Sequence, residues 1–389
     1  MNPTIVAVGY NRPDILKRLL HSIENAKYNT NNVNLIISID KASNEMEVVK
    51  VAEEFIWSHG KKIIRRFPER QGLRKHILQC GDLTEKYGAV IILEDDLIVS
   101  TNFYEYTIAA LNYYENEKCI TGISLYSHEW NGYARKNFVT VADQFDTYLG
   151  QFSITWGQCW TDKWWRQFKQ WYKDHEDKLE ENYKIPSNIN RWSDKSWGKY
   201  FVNYIVETNK FYVIPRVSYS TNCSDVGEHV RVADNVHQVR LMTGNVESYY
   251  FAPVNQAQKY DIFFENLKLE NQFEKKICDE GIVIDLAGYG RKQNGKRYLL
   301  TTLELPYKIL KSYGLQLRPY EMNIMYDIPG ENIFLYDTKR AERKRNKKKN
   351  LIHVIRYEVR GFSVRDFIPY ITFLVKQSLK IKFSKKGKI

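Results

Sequence analysis

The sequence predicts an α/β protein whose mostly parallel sheet is covered by helices on both faces. Three observations lead to this prediction: short β-rich runs alternate with helix-like stretches up to residue 96, these runs are almost continuously apolar, and polar clusters follow several of them. Near-continuous apolar strands separated by helices are typical of parallel sheets that are buried on both faces. With 389 residues, 43% of them hydrophobic, the chain can build one large domain and a smaller one.

The elements follow in a regular order. "TIVAVGY" predicts the first strand, and the next helix begins at Pro13 with leucine and isoleucine at helical spacing. The alternation continues with strand "VNLIISID", helix "EMEVVKVAEEFIWSHG", strand "KKIIRRF", helix "GLRKHILQCGDLTEKYG" and strand "AVIILEDD". In such sheets ligands bind beyond the carboxyl ends of the strands. We therefore expect "GYNRP", "SIDKAS" and "LEDDL" to converge on one site.

The composition changes after about residue 130. Seven of the nine tryptophans fall between residues 156 and 197, and the spacing of Trp156, Trp160 and Trp164 predicts one packed face of a helix. Short strands and turns follow residue 250. We therefore predict a domain over residues 1–250, an accessory α+β region over 251–338 and a basic tail over 339–389.

The tail is strongly charged. It holds 17 Lys and Arg against 3 Asp and Glu, a charge of +14, whereas the other 338 residues hold 41 and 43 and are close to neutral. Basic residues interleaved with aromatic and aliphatic ones predict binding to an anionic membrane surface. Nucleic-acid binding is less expected, and a solvated tail is the third possibility. The sequence contains no pattern typical of a leader peptide, and the apolar run "FIPYITFLV" is too short to span a bilayer. We therefore expect a cytoplasmic protein that is peripheral at the cytoplasmic face of the membrane.

Three adjacent carboxylates, Glu94, Asp95 and Asp96, end the strand "AVIILEDD". Crowding like charges is unfavourable unless a cation neutralises them. If the strand persists through them, Glu94 and Asp96 point to one side and Asp95 to the other. Mn²⁺ or Mg²⁺ suits carboxylate oxygens together with phosphate. The alternative is a helix cap near Thr101 or a solvated turn.

"VIILEDDLIVSTNFYEY" resembles the acidic motif of nucleotide-sugar glycosyltransferases of the GT-A fold, in particular the family 2 glycosyltransferases and the N-acetylglucosaminyltransferase I group. The resemblance extends over roughly residues 1–235. It implies a GT-A, Rossmann-like sheet in which Asp96 binds the metal while Glu94 and Asp95 contact the sugar and ribose of the donor.

The same resemblance assigns roles to earlier segments. "VGYNRPDILKRLLHSI" implies that Arg12 contacts the donor nucleotide, and "ISIDKA" implies that Asp40 binds a uracil-like base. "RQGLRKHIL" makes Arg74 a candidate for a further basic contact, for which Lys75 or Arg70 could substitute.

Two later segments are also similar to this group. "NRWSDKSWGKYF" makes Asp194 the general base that accepts the proton of the acceptor hydroxyl, with Trp192 beside it for sugar stacking. Asp194 could instead serve only as a helix cap. "RVSYSTNCSDVGEHV" makes His229 a candidate metal or phosphate ligand, although a lone histidine is more often structural.

From these motifs we expect a metal-dependent, inverting glycosyltransferase. It would move a sugar from a nucleoside diphosphate sugar, a UDP-sugar in the first instance, to a hydroxyl of a saccharide or lipid-linked saccharide in surface polysaccharide assembly. The alternatives are a sugar nucleotidyltransferase, for which "GYNRPD" lacks the phosphate-cradling loop, and a non-enzymatic protein that binds saccharide or nucleic acid.

Overall fold

The computed structural model describes residues 1–30, 32–152, 155–225, 235–342, 347–359, 363, 365 and 367–376. It contains a large central sheet, a smaller C-terminal sheet and helices packed against both. The strands are β1 (Thr4–Gly9), β2 (Leu35–Ile39), β3 (Lys62–Arg66), β4 (Ala89–Glu94), β5 (Leu97–Val99), β6 (Ile120–Ser124), β7 (Trp130–Asn131), β8 (Lys136–Asn137), β9 (Thr147–Gly150), β10 (Gln158–Thr161), β11 (Phe211–Pro215), β12 (Ser220–Asn222), β13 (Lys259–Tyr260), β14 (Ile282–Asp285), β15 (Tyr298–Thr301), β16 (Tyr307–Tyr313) and β17 (Ile333–Ala341).

The helices cover both faces of the central sheet and the C-terminal region. They are α1 (Pro13–Glu24), α2 (Glu45–Glu54), α3 (Gly72–Gly81), α4 (Thr84–Tyr87), α5 (Phe103–Tyr114), α6 (Asp162–Lys173), α7 (Ser187–Asn190), α8 (Trp197–Glu207), α9 (Lys275–Asp279), α10 (Tyr320–Met325) and α11 (Lys347–Glu358). Residues 367–376 are also helical.

The central sheet has nine strands in the order β13-β9-β11-β6-β10-β4-β1-β2-β3. Six of them run in one direction, because β1 is parallel to β2 and β4, β2 to β3 and β6 to β11, and the antiparallel β10 links β4 to β6. Strands β9, β10 and β13 run the other way. The predicted mostly parallel α/β sheet is therefore confirmed.

Strand β1 shows why both faces must be covered. Its side chains alternate, so Ile5 and Ala7 lie in one buried cluster with α1, α2 and α5, whereas Val6 and Val8 lie in a second with α3, α6 and α8. All four side chains are 6% exposed or less. The first strand thus has no face left for solvent, as its unbroken apolar sequence predicts.

The tryptophan-rich segment does not form the single helix that its spacing predicts. Trp160 lies in β10, and α6 begins only at Asp162, where the side chain of Thr161 accepts a hydrogen bond from the backbone N–H of Trp164. Local spacing was misleading here because pairing with β4 and β6 holds Trp160 in a strand. The tryptophans still pack: Trp160 and Trp164 are 1% exposed or less.

The predicted domain boundaries stay predictions, and strands of both sheets lie close to them. Strand β13 pairs with β9, so the central sheet continues past residue 250 to Tyr260. The accessory region carries the four-stranded sheet β14-β15-β17-β16, and β17 continues past residue 338 to Ala341. Long-range pairing, which local composition does not reveal, sets where each of these two strands lies in its sheet.

Candidate functional site

A polar cleft lies at the carboxyl edge of the central sheet. Because β1, β2 and β4 are parallel and adjacent, the residues that follow them meet at this edge. The cavity has a volume of about 150 Å³ and is lined by Val8–Arg12, Asp40, Arg70, Gly72, Leu73, His76, Glu94, Asp95, Asp96 and Asp225. The predicted convergence of "GYNRP", "SIDKAS" and "LEDDL" is therefore confirmed.

The three acids do not alternate as predicted. Strand β4 ends at Glu94, and Asp95 and Asp96 lie in the turn before β5. Consequently the strand geometry on which the prediction depended does not reach them. Asp95 and Asp96 face the same guanidinium rather than opposite sides. The alternation fails because β5 turns away to pair with β12.

Arg12 is the immediate counter-ion of this turn. Its Nε lies 3.3 Å from Asp95 Oδ2, its Nη2 donates to Asp95 Oδ1, and the same Nη2 lies 3.5 Å from Asp96 Oδ2. The residue follows β1, so the parallel pairing of β1 with β4 brings it across the sheet edge. One positive charge therefore lies against two carboxylates, with Glu94 as a third nearby.

The neutralisation is incomplete. Burial raises the pKa of Asp95 to about 6, against the opposing charge of Arg12, and burial together with the charges of Asp96 and Asp95 raises the pKa of Glu94 well above its ordinary value. Asp96 Oδ1 is buried and has no hydrogen-bond partner in the described part of the chain. Additional positive charge beside the turn would therefore stabilise the ionised carboxylates.

The described residues do not complete a metal site by themselves. Among residues 1–225 and 235–376, apart from the undescribed positions within these ranges, no group of three His, Cys, Asp or Glu side chains is arranged to hold a metal ion. His229, the second predicted metal ligand, lies outside the described residues, so its role stays a prediction.

Asp40 has a structural task, while its binding of a base stays a prediction. Its Oδ1 accepts the backbone N–H of Lys41 at 2.8 Å and of Gln71 at 2.7 Å, and its Oδ2 accepts that of Gly72 at 2.9 Å. These bonds attach the start of α3 to the end of β2. Since a carboxylate oxygen can accept two hydrogen bonds, Oδ2 keeps one acceptor position for a ligand in the cleft.

Arg70 joins Arg12 as a basic side chain of the cleft wall, and Arg74 is not part of the lining. The guanidinium of Arg70 lies over the ring of Tyr10, 5.0 Å from its centroid, at the mouth of the cleft. Arg70 is one of the two residues, with Lys75, that could substitute for Arg74, and it reaches the cleft because it precedes α3. Arg74, inside the helix, instead contacts the segment around residue 194.

Asp225 is a cleft acid that the sequence did not single out. It forms an ion pair with Arg18 of α1, whose Nη1 donates to Asp225 Oδ1 at 3.2 Å. The backbone N–H of nearby Cys223 donates to the carbonyl oxygen of Asp96 at 2.9 Å, which holds this segment beside the acidic turn. A signal did exist, because Asp225 stands only four residues before His229.

Asp194 lies beside the cleft rather than in its lining. Nη1 of Arg74 donates to the backbone carbonyl of Asp194 at 2.8 Å and to the hydroxyl of Tyr200 at 2.8 Å. The Asp194 carboxylate is 76% exposed and accepts a hydrogen bond from Lys199 Nζ at 2.7 Å. This hydrogen bond and the charge of Lys199 lower the pKa of Asp194. The carboxylate is thus ionised and open to solvent, as a base that meets an incoming acceptor must be.

Trp192 packs against neighbouring side chains with part of its ring. It is half-buried and packs against a small cluster that contains Ile189 and Phe263. Only the part of the ring that this cluster leaves exposed could stack against an acceptor sugar, as the sequence predicts.

A buried histidine in the cleft wall predicts a loss of stability in acid. His76 is 2% exposed, its Nε2 lies 2.8 Å from Ser38 Oγ, and burial lowers its pKa to about 4. An unfolded histidine has a pKa of about 6.5. The unfolded chain therefore binds the proton more tightly, and stability present above pH 6.5 is lost as the pH falls to 4, by on the order of 3 kcal/mol.

We expect the variant His76→Gln to show a smaller fall in the free energy of unfolding between pH 6.5 and 4 than the unchanged protein. Urea denaturation at a series of pH values measures it, with His21→Gln on the exposed side of α1 as the control. An unaltered pH slope in His76→Gln would contradict the assignment.

Comparison with known proteins places the cleft in a family. Residues 4–197, about half of the chain, match the model of Glycosyl transferase family 2. These residues include Arg12, Asp40, the acidic turn and Asp194. The chain has no match among curated protein sequences.

Solved structures resemble the chain at low identity. TarS 1–349 of S. aureus, in complex with UDP-GlcNAc, is 12% identical with a TM-score of 0.39, over 60% of this chain and 62% of that one. GalNAc-T7 with UDP, GalNAc and Mn²⁺ is 12% identical with a TM-score of 0.41, over 56% of this chain and 43% of that one. The mannosyltransferase PcManGT of Pyrobaculum calidifontis, with GDP-Man and Mn²⁺, is 10% identical with a TM-score of 0.31, over 44% and 47%.

The family match, the sheet and the cleft agree with one another. A mostly parallel sheet covered by helices, with an acidic turn at its carboxyl edge, is the GT-A arrangement that the resemblance implied. The chain belongs to glycosyl transferase family 2, through a domain that begins at its first strand.

Proposed function

We propose that the protein is a metal-dependent, inverting glycosyltransferase that moves a sugar from a nucleoside diphosphate sugar, a UDP-sugar, to a saccharide hydroxyl. The observation that carries the proposal is the convergence of Arg12, Asp40 and the acidic turn on one cleft inside the family 2 domain. A diphosphate donor needs positive charge beside its phosphates, which Arg12, Arg70 and a cation at the acidic turn would supply. It also needs polar groups for its base and sugar, which the other side chains of the cleft would provide.

The parts of the donor would be divided among the cleft residues. Asp40 supports binding of the base, because its remaining acceptor position can take a base N–H. Arg12 and Arg70 are the basic lining residues and would lie closest to the diphosphate. Glu94 and Asp95 would accept hydrogen bonds from sugar and ribose hydroxyls.

The acidic turn suits a divalent cation. Its ligands would be the oxygens of Asp96, one of which is buried without a partner, together with phosphate oxygens, which are the hard donors that Mn²⁺ and Mg²⁺ prefer. When bound, the cation supplies Lewis-acid stabilisation of the negative charge that develops on the leaving diphosphate. The raised pKa values of Glu94 and Asp95 support the same assignment, since added positive charge would restore their ionised forms.

Inversion requires a base that takes the proton of the acceptor hydroxyl while that oxygen attacks the anomeric carbon. Asp194 is supported in this role by its ionisation and its exposure. The hydroxyl oxygen forms the new bond, the bond from the anomeric carbon to the diphosphate breaks, and the proton passes to the carboxylate. Arg74 holds the backbone of Asp194 against α3, which begins at the cleft.

We propose that the acceptor belongs to a surface polysaccharide and that the enzyme acts at the cytoplasmic face of the membrane. The basic C-terminal segment, with its exposed apolar side chains, supports this placement. A lipid-linked acceptor would be presented at the same surface.

Donor binding is tested by thermal denaturation with UDP-sugars and GDP-sugars, each with Mn²⁺ or with a chelator. A ligand at one hundred times its dissociation constant stabilises the folded state by about 2.7 kcal/mol. We expect a UDP-sugar with Mn²⁺ to raise the melting temperature, and the chelator to remove most of this effect. No stabilisation by any nucleoside diphosphate sugar would contradict the proposal.

A further inference from the structure

Helix α11 is fixed to the body of the protein by one face. Asn350 Nδ2 donates to the carbonyl oxygens of Thr302 and Asn332, at 2.8 and 3.2 Å, and Val354, one turn later, is 5% exposed. Glu358 accepts hydrogen bonds from the backbone N–H and the side-chain amide of Asn137 in the transferase domain. Helix α11 is thus connected to both the accessory sheet and the catalytic domain.

A neighbouring face of the same helix is apolar and open to solvent. Leu351, Ile355 and Val359 follow one another at intervals of four residues, and Ile352 lies beside them. Their exposed fractions are 59%, 50%, 44% and 57%. No described residue covers this stripe.

The helix over residues 367–376 is apolar over most of its surface, and all ten of its residues are exposed. Seven of them are large and apolar: Phe367, Ile368, Tyr370, Ile371, Phe373, Leu374 and Val375. Together with the α11 stripe they account for 11 of the 23 exposed large hydrophobic side chains in the described chain. Such a concentration marks an interaction surface, because isolated exposed apolar residues are scattered on ordinary surfaces.

The described part of this helix is too short to cross a bilayer. A spanning helix needs about 20 apolar residues, whereas the ten described residues 367–376 include seven large apolar ones. Within the described residues no helix is both long and apolar enough to span a membrane. An apolar helix of this length can still lie in the interface between lipid headgroups and acyl chains.

Charge decides between the partners that this surface could bind. A second copy of the chain would bring another segment of charge +14 against the first, which is repulsive. A nucleic acid would match the charge but would leave the 11 apolar side chains in water. An anionic bilayer satisfies both requirements, since basic residues are attracted to its headgroups while the apolar side chains enter the interface.

We propose that the stripe on α11 and the helix 367–376 form a docking surface for an anionic lipid bilayer. Because Asn350 and Glu358 attach α11 to both parts of the protein, docking sets the orientation of the catalytic domain relative to the membrane. The inference deepens the proposed placement at the membrane by naming the surface that binds it. The donor cleft takes no part in this surface, so the inference does not depend on the proposed reaction.

Vesicle flotation of the full-length protein tests the proposal. We expect the protein to float with phosphatidylglycerol-containing vesicles, to remain behind with pure phosphatidylcholine, and to be released as salt is raised. The variant Phe367→Ser/Ile371→Ser/Leu374→Ser should lose at least tenfold in partitioning, and Leu351→Ser/Ile355→Ser should also bind more weakly. The matched control, Ile56→Ser/Tyr326→Ser, changes exposed apolar residues elsewhere and should float normally.

Three results would overturn the proposal. They are equal flotation of the triple variant, retention by DNA or RNA in place of vesicles, and a dimer in solution that the triple substitution dissociates without any effect on lipid binding. The melting temperature of each variant, with and without UDP-sugar and Mn²⁺, checks that the body is folded. If the donor proposal fails, UDP-sugar with Mn²⁺ will not raise the melting temperature, while flotation will be unaffected.

Discussion

Replacing Asp96 with asparagine is expected to lower kcat/KM at least a hundredfold. The amide keeps the shape of the side chain but removes the charge that is assigned to hold the cation beside the donor diphosphate. Loss of one group that stabilises developing charge costs about a hundred- to a thousandfold in turnover. Release of nucleoside diphosphate from the UDP-sugar in the presence of an acceptor measures the effect, and titration of free Mn²⁺ against the protein gives an independent readout of metal binding.

The same substitution should leave the fold intact or slightly more stable. Glu94, Asp95 and Asp96 repel one another, and only Arg12 lies against them in the described structure. Removing one negative charge therefore lowers the repulsion while the Arg12–Asp95 pair remains. Asp177→Asn, at an exposed position outside the helices and strands, is the matched control and should retain full activity. Normal turnover and normal Mn²⁺ affinity in Asp96→Asn would refute the assignment.

Replacing Asp194 with asparagine is the second change with a large expected effect. A positioned general base contributes about a hundred- to ten-thousandfold, and we expect kcat to fall within this range. Donor affinity should not change, because Asp194 does not line the cleft and Arg74 binds its backbone oxygen, which the substitution preserves. The loss should therefore appear in kcat, with the dissociation constant of UDP-sugar unaltered.

The variant Lys199→Met distinguishes a catalytic role of Asp194 from a purely structural one. The hydrogen bond and charge of Lys199 lower the pKa of Asp194, so this variant should raise that pKa. Only the ionised carboxylate can accept the proton, so the acidic limb of the kcat profile should move to higher pH. A pH profile with an unmoved acidic limb, or an active Asp194→Asn enzyme, would show that Asp194 serves only as part of the loop.

The cleft was largely predictable because its residues follow parallel strands. Gly9 and Asp40 stand directly after apolar runs, and Glu94 ends one, so knowing that the runs are parallel places all three at one edge. Asp225 was not predictable in this way. It reaches the cleft through the bond between Cys223 and the Asp96 carbonyl and through its pair with Arg18, contacts between segments more than 120 residues apart.

The errors share a physical cause. The alternation at Glu94–Asp96 and the helical face at Trp156–Trp164 were both inferred from spacing along the chain. Side-chain direction depends on where an element ends, and pairing with other strands sets that limit: β5 with β12, and β10 with β4 and β6. Arg70 and Arg74 are only four residues apart, yet only Arg70 lines the cleft, because it precedes α3 while Arg74 lies inside it.

The sequence by itself determined the parallel α/β core, the meeting of the acidic turn with Arg12 and Asp40, and the concentration of charge in the tail. Each of these follows from the local hydrophobic pattern or from the composition, which are properties of the sequence and do not depend on contacts between distant segments. The tertiary structure decided that Arg12 lies against both Asp95 and Asp96 and that Arg74 holds Asp194. It also decided that α11 is anchored with an apolar stripe that no described residue covers. Those facts depend on contacts between distant segments, and only the packed chain creates them.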